Sequence, residues 1–178
     1  MKVLIDCGAS DGAAIKDLEN NYGSFEKIYA IEPNSECIVE LEKLTNKSIN
    51  IIQKLVCTKK GMQKLFIGDH FIESSMFVEK TTGNLKEDKY IEVECLDFDD
   101  WIKKNINQDD EVVCKMDIEG AEFDVLESIL NRGGSKYIDF MLVEWHVSRL
   151  PNPWFLRFRR LIIILRFMIQ EVKIKTWQ

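Results

Sequence analysis

Positive charge is in short supply in this chain. Its 178 residues hold 24 lysines and arginines against 30 acids, a formal net charge of −6. A protein that tracks a nucleic-acid backbone needs a basic surface, so this balance argues against a nucleic-acid substrate. No apolar run is long enough to cross a bilayer: Leu161-Ile162-Ile163-Ile164-Leu165 is short and flanked by arginines. No signal peptide is expected, because Asp6 arrives before any apolar region builds up. With three prolines, no internal repeat and no low-complexity linker, one domain over residues 1–178 is expected. The five cysteines, Cys7, Cys37, Cys57, Cys95 and Cys114, are odd in number and lack a zinc spacing such as C-x-x-C. They read as buried or reduced thiols of a cytoplasmic protein.

What is present begins at the N-terminus. Val3-Leu4-Ile5 runs into Asp6-Cys7-Gly8-Ala9-Ser10-Asp11-Gly12, and a helix-compatible segment follows. A strand, a glycine turn and a helix in that order make a nucleotide-binding corner. The glycines let backbone approach a ligand with no Cβ in the way, and the helix start adds unpaired donors and partial positive charge. A dinucleotide corner wants G-x-G-x-x-G, but Ser10 stands at its second glycine and Asp6 precedes Gly8 by two. Apolar strand, acid and G-x-x-x-G resemble motif I of class I S-adenosylmethionine methyltransferases. An acid at the strand tip suits a ligand carrying an ammonium and a sulfonium, and would repel a pyrophosphate.

Further on, strands alternate with helices, which predicts an α/β fold on a mostly parallel sheet. Lys2–Asp6 reads as a buried central strand and Ala13–Asn21 as the first helix. The second strand, Lys27–Ile31, stops at Glu32-Pro33, twenty residues beyond Gly12, where an acid can accept from both ribose hydroxyls. A helix over Ser35–Asn46 follows, then a strand over Ile49–Cys57 whose end, Val56 and Cys57, is expected beside the adenine. Gln63–Ile67 reads as its hairpin return or an extra antiparallel strand. Segment 68–89 reads either as a flap over the site, with Ser75 touching cofactor or acceptor, or as a surface loop. The alternation in Tyr90–Leu96 predicts an edge strand, and Asp97 caps a helix to Asn105. Glu111–Met116 and Tyr137–Val143 are further strands, with a helix over Ala121–Leu130 between them. The helix Trp154–Gln170 is expected to pack on the sheet in preference to lying on a membrane, and Val172–Trp177 is the last strand.

Asp6-x-Gly8-x-x-x-Gly12, Glu32-Pro33, Leu96-Asp97, the string Lys115-Met116-Asp117-Ile118-Glu119-Gly120-Ala121-Glu122 and Glu144 together resemble the FkbM family of S-adenosylmethionine-dependent methyltransferases. The resemblance runs from about Val3 to His146 and rests above all on D-x-E-G-x-E. It implies a three-layer Rossmann-like sheet with an antiparallel C-terminal strand, and methylation of hydroxyls on sugars or similar scaffolds. Two departures stand out: the chain starts almost at strand one, and one terminal strand replaces the usual antiparallel pair. Either the sheet is short by a strand or the chain is a minimal or excised domain.

Under this reading Asp6, Gly8, Ala9, Ser10, Gly12, Glu32, Pro33, Val56, Cys57 and Asp117 are expected at the cofactor. Asp117 is also expected near the acceptor, with Glu119 or His146 as base and Ser75, Glu144 and His146 contacting substrate. An alternative is that Asp117, Glu119, Glu144 and His146 hold magnesium or manganese. Glu122 is read as a helix N-terminal acid stabilising the dipole. The acceptor is expected to be a glycan or small molecule, and a homodimer is open. Rival readings are a non-catalytic methyltransferase-like binding module and a nicotinamide oxidoreductase.

Overall fold

Alternation along the first strand sorts the core into two layers. Val3, Ile5 and Cys7 pack on one face of the sheet with Phe98, Phe123, Ile163 and Phe167. Leu4 packs on the other with Ile15, Leu18 and Leu41. A strand buried on both faces needs helices above and below it, and the chain supplies them. The computed structural model describes residues 1–44, 49–69 and 74–177. The end of the helix expected to reach Asn46 and positions 70–73 lie outside the described residues.

In chain order the elements are β1 (Lys2–Cys7), α1 (Ala13–Tyr22), β2 (Lys27–Ile31), α2 (Ser35–Leu41), β3 (Ile49–Ile52), β4 (Leu55–Cys57) and β5 (Gly61–Phe66). There follow β6 (Tyr90–Asp97), α3 (Phe98–Asn105), β7 (Glu111–Met116), α4 (Glu122–Arg132), β8 (Phe140–Val143), α5 (Pro153–Ile169) and β9 (Lys173–Thr176). The main sheet has the order β3-β2-β1-β7-β8-β9. Helices α1 and α2 cover one face and α3, α4 and α5 the other. The strand order reverses between β1 and β7, so the carboxyl tips of these strands frame the crevice where such sheets bind ligands.

Three expectations are corrected. The C-terminal strand is not antiparallel: β9 pairs with β8 in parallel, Met141 opposite Ile174. The reason is α5, whose 17 residues carry the chain back to the starting end of the sheet, as a parallel crossover requires. Ile49–Cys57 is not one strand. It breaks between Ile52 and Leu55, and β4 leaves for a second, three-stranded sheet of order β4-β6-β5. Tyr90–Leu96 is therefore the centre of that sheet, not an edge, and β5 is the extra antiparallel strand, paired with β6 and not a hairpin return on β4. Its alternating pattern records one covered face, which an edge strand and a central strand of a small sheet share.

Local signals hold elsewhere. Asp97 caps α3 by accepting from the Asp100 amide, and Gly133 ends α4 in the left-handed region at φ 94°.

Candidate active site

A cavity of about 360 Å³ opens at the tips of β1, β2 and β7, a volume in the range of small-molecule sites. Gly8, Ser10, Glu32 and Pro33 line one side, Val56 and Ser75 another, and Asp117, Glu119 and Glu144 a third. The remaining expected residues stand behind this wall. Asp6, Ala9 and His146 are buried beneath it. Gly12 caps α1, and Cys57 faces a separate cavity of about 100 Å³, with its sulfur 2.8 Å from that of Cys95.

The glycine turn acts by absence of a side chain. Gly8 sits at φ 75°, and a Cβ there would lie 1.8 Å from the Asp117 carbonyl oxygen. Gly8 thus lets β1 and β7 close at the switch point. The turn does not offer the expected row of unpaired donors. The Gly8 and Ala9 amides both donate to the Ile31 carbonyl, and the Gly12 amide to that of Ala9. The Ser10 amide donates to Glu32 Oε2 at 3.0 Å. Sequence spacing shows that a turn forms there, not where its amides point.

Glu32 is held from two sides, accepting from the Ser10 amide and, at 2.9 Å, from the Asn34 amide. Glu32 also lines the cavity. Burial pushes its pKa up. Cys37 also lines the cavity, but burial raises its thiol to about 12, which leaves no thiolate nucleophile.

Under the turn lies a residue that the sequence reading missed. The buried Lys115 ammonium donates to Asp6 Oδ1 and to the Gly8 carbonyl, both at 3.1 Å, and lies 3.5 Å from Asp117. Burial disfavours the charged amine, yet Asp6 and Asp117 outweigh it and the Lys115 pKa rises. Asp6 therefore faces Lys115 under the turn instead of lining the cavity. Nothing but its inward register in an apolar strand marks Lys115 in the sequence.

The third wall is acidic. His146 is 1 % exposed, and its Nδ1 lies 2.8 Å from Glu122 Oε1. Its Nε2 lies 3.3 Å from Glu119, 3.5 Å from Glu144 and 3.8 Å from Asp117, and makes no hydrogen bond. Desolvation lowers the His146 pKa, but the Glu122 bond and the surrounding carboxylates outweigh it, and the net shift is upward. Glu122 accepts from the Ile118 and Gly120 amides as well. It does more than stabilise a dipole: fully buried, it orients an imidazole across 24 residues of sequence. Glu119 stands at φ 56°, a left-handed conformation unusual for its residue type.

Segment 74–81 is packed into the site, neither a bare surface loop nor an open flap. The Ser75 hydroxyl donates to the Glu119 carbonyl at 2.7 Å, and the buried Lys80 ammonium reaches Glu119 Oε2 at 2.6 Å. Arg149, from the turn after β8, lies 3.6 Å from Glu119 and 3.5 Å from Glu144. Lys80 and Arg149 were also missed, because both come from stretches without periodicity.

These contacts bear on the metal alternative. Donor atoms of Asp117, Glu122 and His146 lie within 4.8 Å of one another. Glu122, however, is taken up by two amides and the imidazole, and Glu119 by Lys80 and Arg149. The donor set is already neutralised from within and fits a divalent cation poorly. A cationic organic ligand fits better: Glu32 offers a hydroxyl grip, and Asp117 and Glu144 line the cavity with carboxylates.

Sheet order, switch-point cavity and acidic tips define a Rossmann-like fold of the methyltransferase type. The chain belongs to the FkbM methyltransferase family, whose domain model, "Methyltransferase FkbM domain", matches residues 6–170. Among solved structures it is similar to the crystal structure of methyltransferase FkbM from Methylobacillus flagellatus KT, with a TM-score of 0.53 and 18% identity. That likeness covers 97% of this chain and 37% of the other, so the chain spans a little over a third of its structural neighbour. No curated protein matches the chain significantly.

Proposed function

We propose that the protein transfers a methyl group from S-adenosylmethionine to a hydroxyl of a sugar, glycan or similar small polyol. The observation that carries this reading is His146. It is a buried imidazole, fixed at Nδ1 by Glu122, with an unpartnered Nε2 beside the cavity wall. A hydroxyl acceptor must lose a proton as its oxygen forms the new carbon–oxygen bond, and a positioned base adds on the order of 10²–10⁴-fold in rate.

Bound S-adenosylmethionine supplies an electrophilic methyl on a sulfonium, which leaves with the electron pair of the breaking carbon–sulfur bond. Glu32 holds the ribose hydroxyls, and the Gly8–Gly12 turn admits the amino-acid tail. Asp117 and Glu144 hold the acceptor and favour the cationic centre nearby. His146, beneath the wall, receives the acceptor proton at Nε2 through Glu144, 3.5 Å away, and Glu122 stabilises the imidazolium that results. Acids on the wall disfavour phosphate-bearing acceptors, in line with a neutral polyol. Five buried free cysteines suit a reducing cytoplasm.

Calorimetry with S-adenosylmethionine and with NAD, followed by a mass-spectrometric screen of glycans for the gain of one methyl, tests the proposal. Binding of the first ligand alone and methylation of a hydroxyl are expected. Binding without transfer to any acceptor points instead to a methyltransferase-like binding module, and preference for NAD ends the reading.

A further inference from the structure

Helix α5 has two apolar faces and needs only one for its own fold. Leu156, Ile163 and Phe167 point inward and are buried in the main core. At about 100° per residue, Trp154, Phe158, Leu161, Leu165 and Met168 form a stripe on the opposite side. They are 80%, 60%, 53%, 49% and 62% exposed. Phe155, Ile162 and Ile169 widen it and are exposed too. Eight large apolar side chains on one face make a patch of several hundred Å² or more, beyond what scattered surface residues leave bare.

The charge around the stripe runs against that of the whole molecule. Helix α5 carries Arg157, Arg159, Arg160 and Arg166 and no acid, in a chain of net charge −6. Arg159 is bound to Asp124 and Glu127 on α4. Among the described residues, the contacts of the other arginines are not acids: Arg157 lies over the Trp154 ring, Arg160 meets Thr176 and the Trp145 ring, and Arg166 meets Asn131. Their charge stays uncompensated beside the stripe.

We propose that the outward face of α5 binds the surface of an anionic lipid bilayer, lying in the interface without spanning it. An apolar stripe with aromatic residues, edged by arginine, matches the interfacial class of helix, and anionic headgroups complement the basic rim. No described helix is long and apolar enough to cross a membrane. A second copy of the chain is the weaker occupant, since a two-fold pairing sets two basic rims against each other. The aromatic end of the stripe starts at Trp154, eight residues after His146, so it lies at the strand-tip end of the sheet. The inference stands apart from the proposed methyl transfer and survives its failure.

The test is flotation of the purified chain with phosphatidylcholine vesicles, with and without about a third phosphatidylserine. Binding about tenfold or more stronger to the anionic vesicles is expected, weakening as salt rises. Phe158→Glu with Leu165→Glu should lower it by about tenfold or more, with the circular dichroism spectrum unchanged. Arg166→Glu, whose side chain meets Asn131 and no residue of the stripe, should cut the preference for anionic lipid. No binding to either vesicle overturns the proposal. So does equal binding to both, or a concentration-dependent dimer that Phe158→Glu disperses.

Discussion

At the scale of single residues, the site depends on two buried charges and their partners. His146 has its pKa raised by Glu122 and the neighbouring carboxylates. Stability gained from the imidazolium is full below about 6.5, the free value, and is lost as pH rises through the folded pKa. With His146 as the proposed base, activity is expected to move the other way, because a base must be unprotonated. The kcat profile should therefore climb with pH to a plateau reached above 6.5, and Glu122→Gln should shift the climb to lower pH. His146→Asn should lower kcat by about 10²–10⁴-fold and leave the affinity for S-adenosylhomocysteine unaltered. An unchanged kcat would remove His146 from the chemistry. Lys115 gives a stability prediction: Lys115→Met leaves Asp6 buried without its counter-charge and should cost about 3–5 kcal/mol in urea unfolding. Adding Asp6→Asn to that variant should recover most of the loss. A single variant no worse than a surface change would show that the pair is not what holds the turn.

At the scale of elements, the β1 turn and the start of α4 meet across the switch point, and Gly8 is where they touch. A methyl group at Gly8 cannot sit 1.8 Å from the Asp117 carbonyl, so one backbone must move. Gly8→Ala should lower the midpoint of thermal unfolding and abolish binding of S-adenosylhomocysteine by calorimetry. Ala9→Gly, which adds no atoms, should leave that binding in place. Much of this was legible in the residues: Asp6-x-Gly8-x-x-x-Gly12 and Glu32-Pro33 located β1, the turn and the tip of β2. The D-x-E-G-x-E string marked a stretch that lines the cavity, but Glu122 looked like any acid in a first helical turn. Its role depends on His146, which comes from the next strand, and sequence separation conceals such a pair. Lys80 and Arg149 escaped because their stretches carry no periodicity. Pairing also overruled pattern at β4 and β9: period-two alternation says that a strand has a covered face, not which strand lies beside it.

For the whole molecule, ligand binding and folding are one linked equilibrium. A ligand at 100 times its Kd adds about 2.7 kcal/mol to stability, which S-adenosylhomocysteine should report as a rise in unfolding temperature. The rise should shrink as pH falls through the raised pKa of Glu32, since a protonated carboxyl accepts fewer hydrogen bonds from ribose. Glu32→Gln should remove this pH dependence and weaken binding by about 1.5–3 kcal/mol. A thermal shift indifferent to pH in the native protein would take Glu32 out of the cofactor site.

The sequence by itself determined the alternation of strands and helices, the tight corner after β1 and the acid after β2. Each of these is written within a few consecutive residues by apolar period, glycine and charge. Only the tertiary structure decided that β9 runs parallel, that β4 leaves the main sheet, and that Lys115 and Glu122 lie under the site. It also decided that α5 turns a second apolar face outward. Such facts depend on which distant segments share a face, and a residue's neighbours in space are set by crossovers and packing, not by its neighbours in the chain.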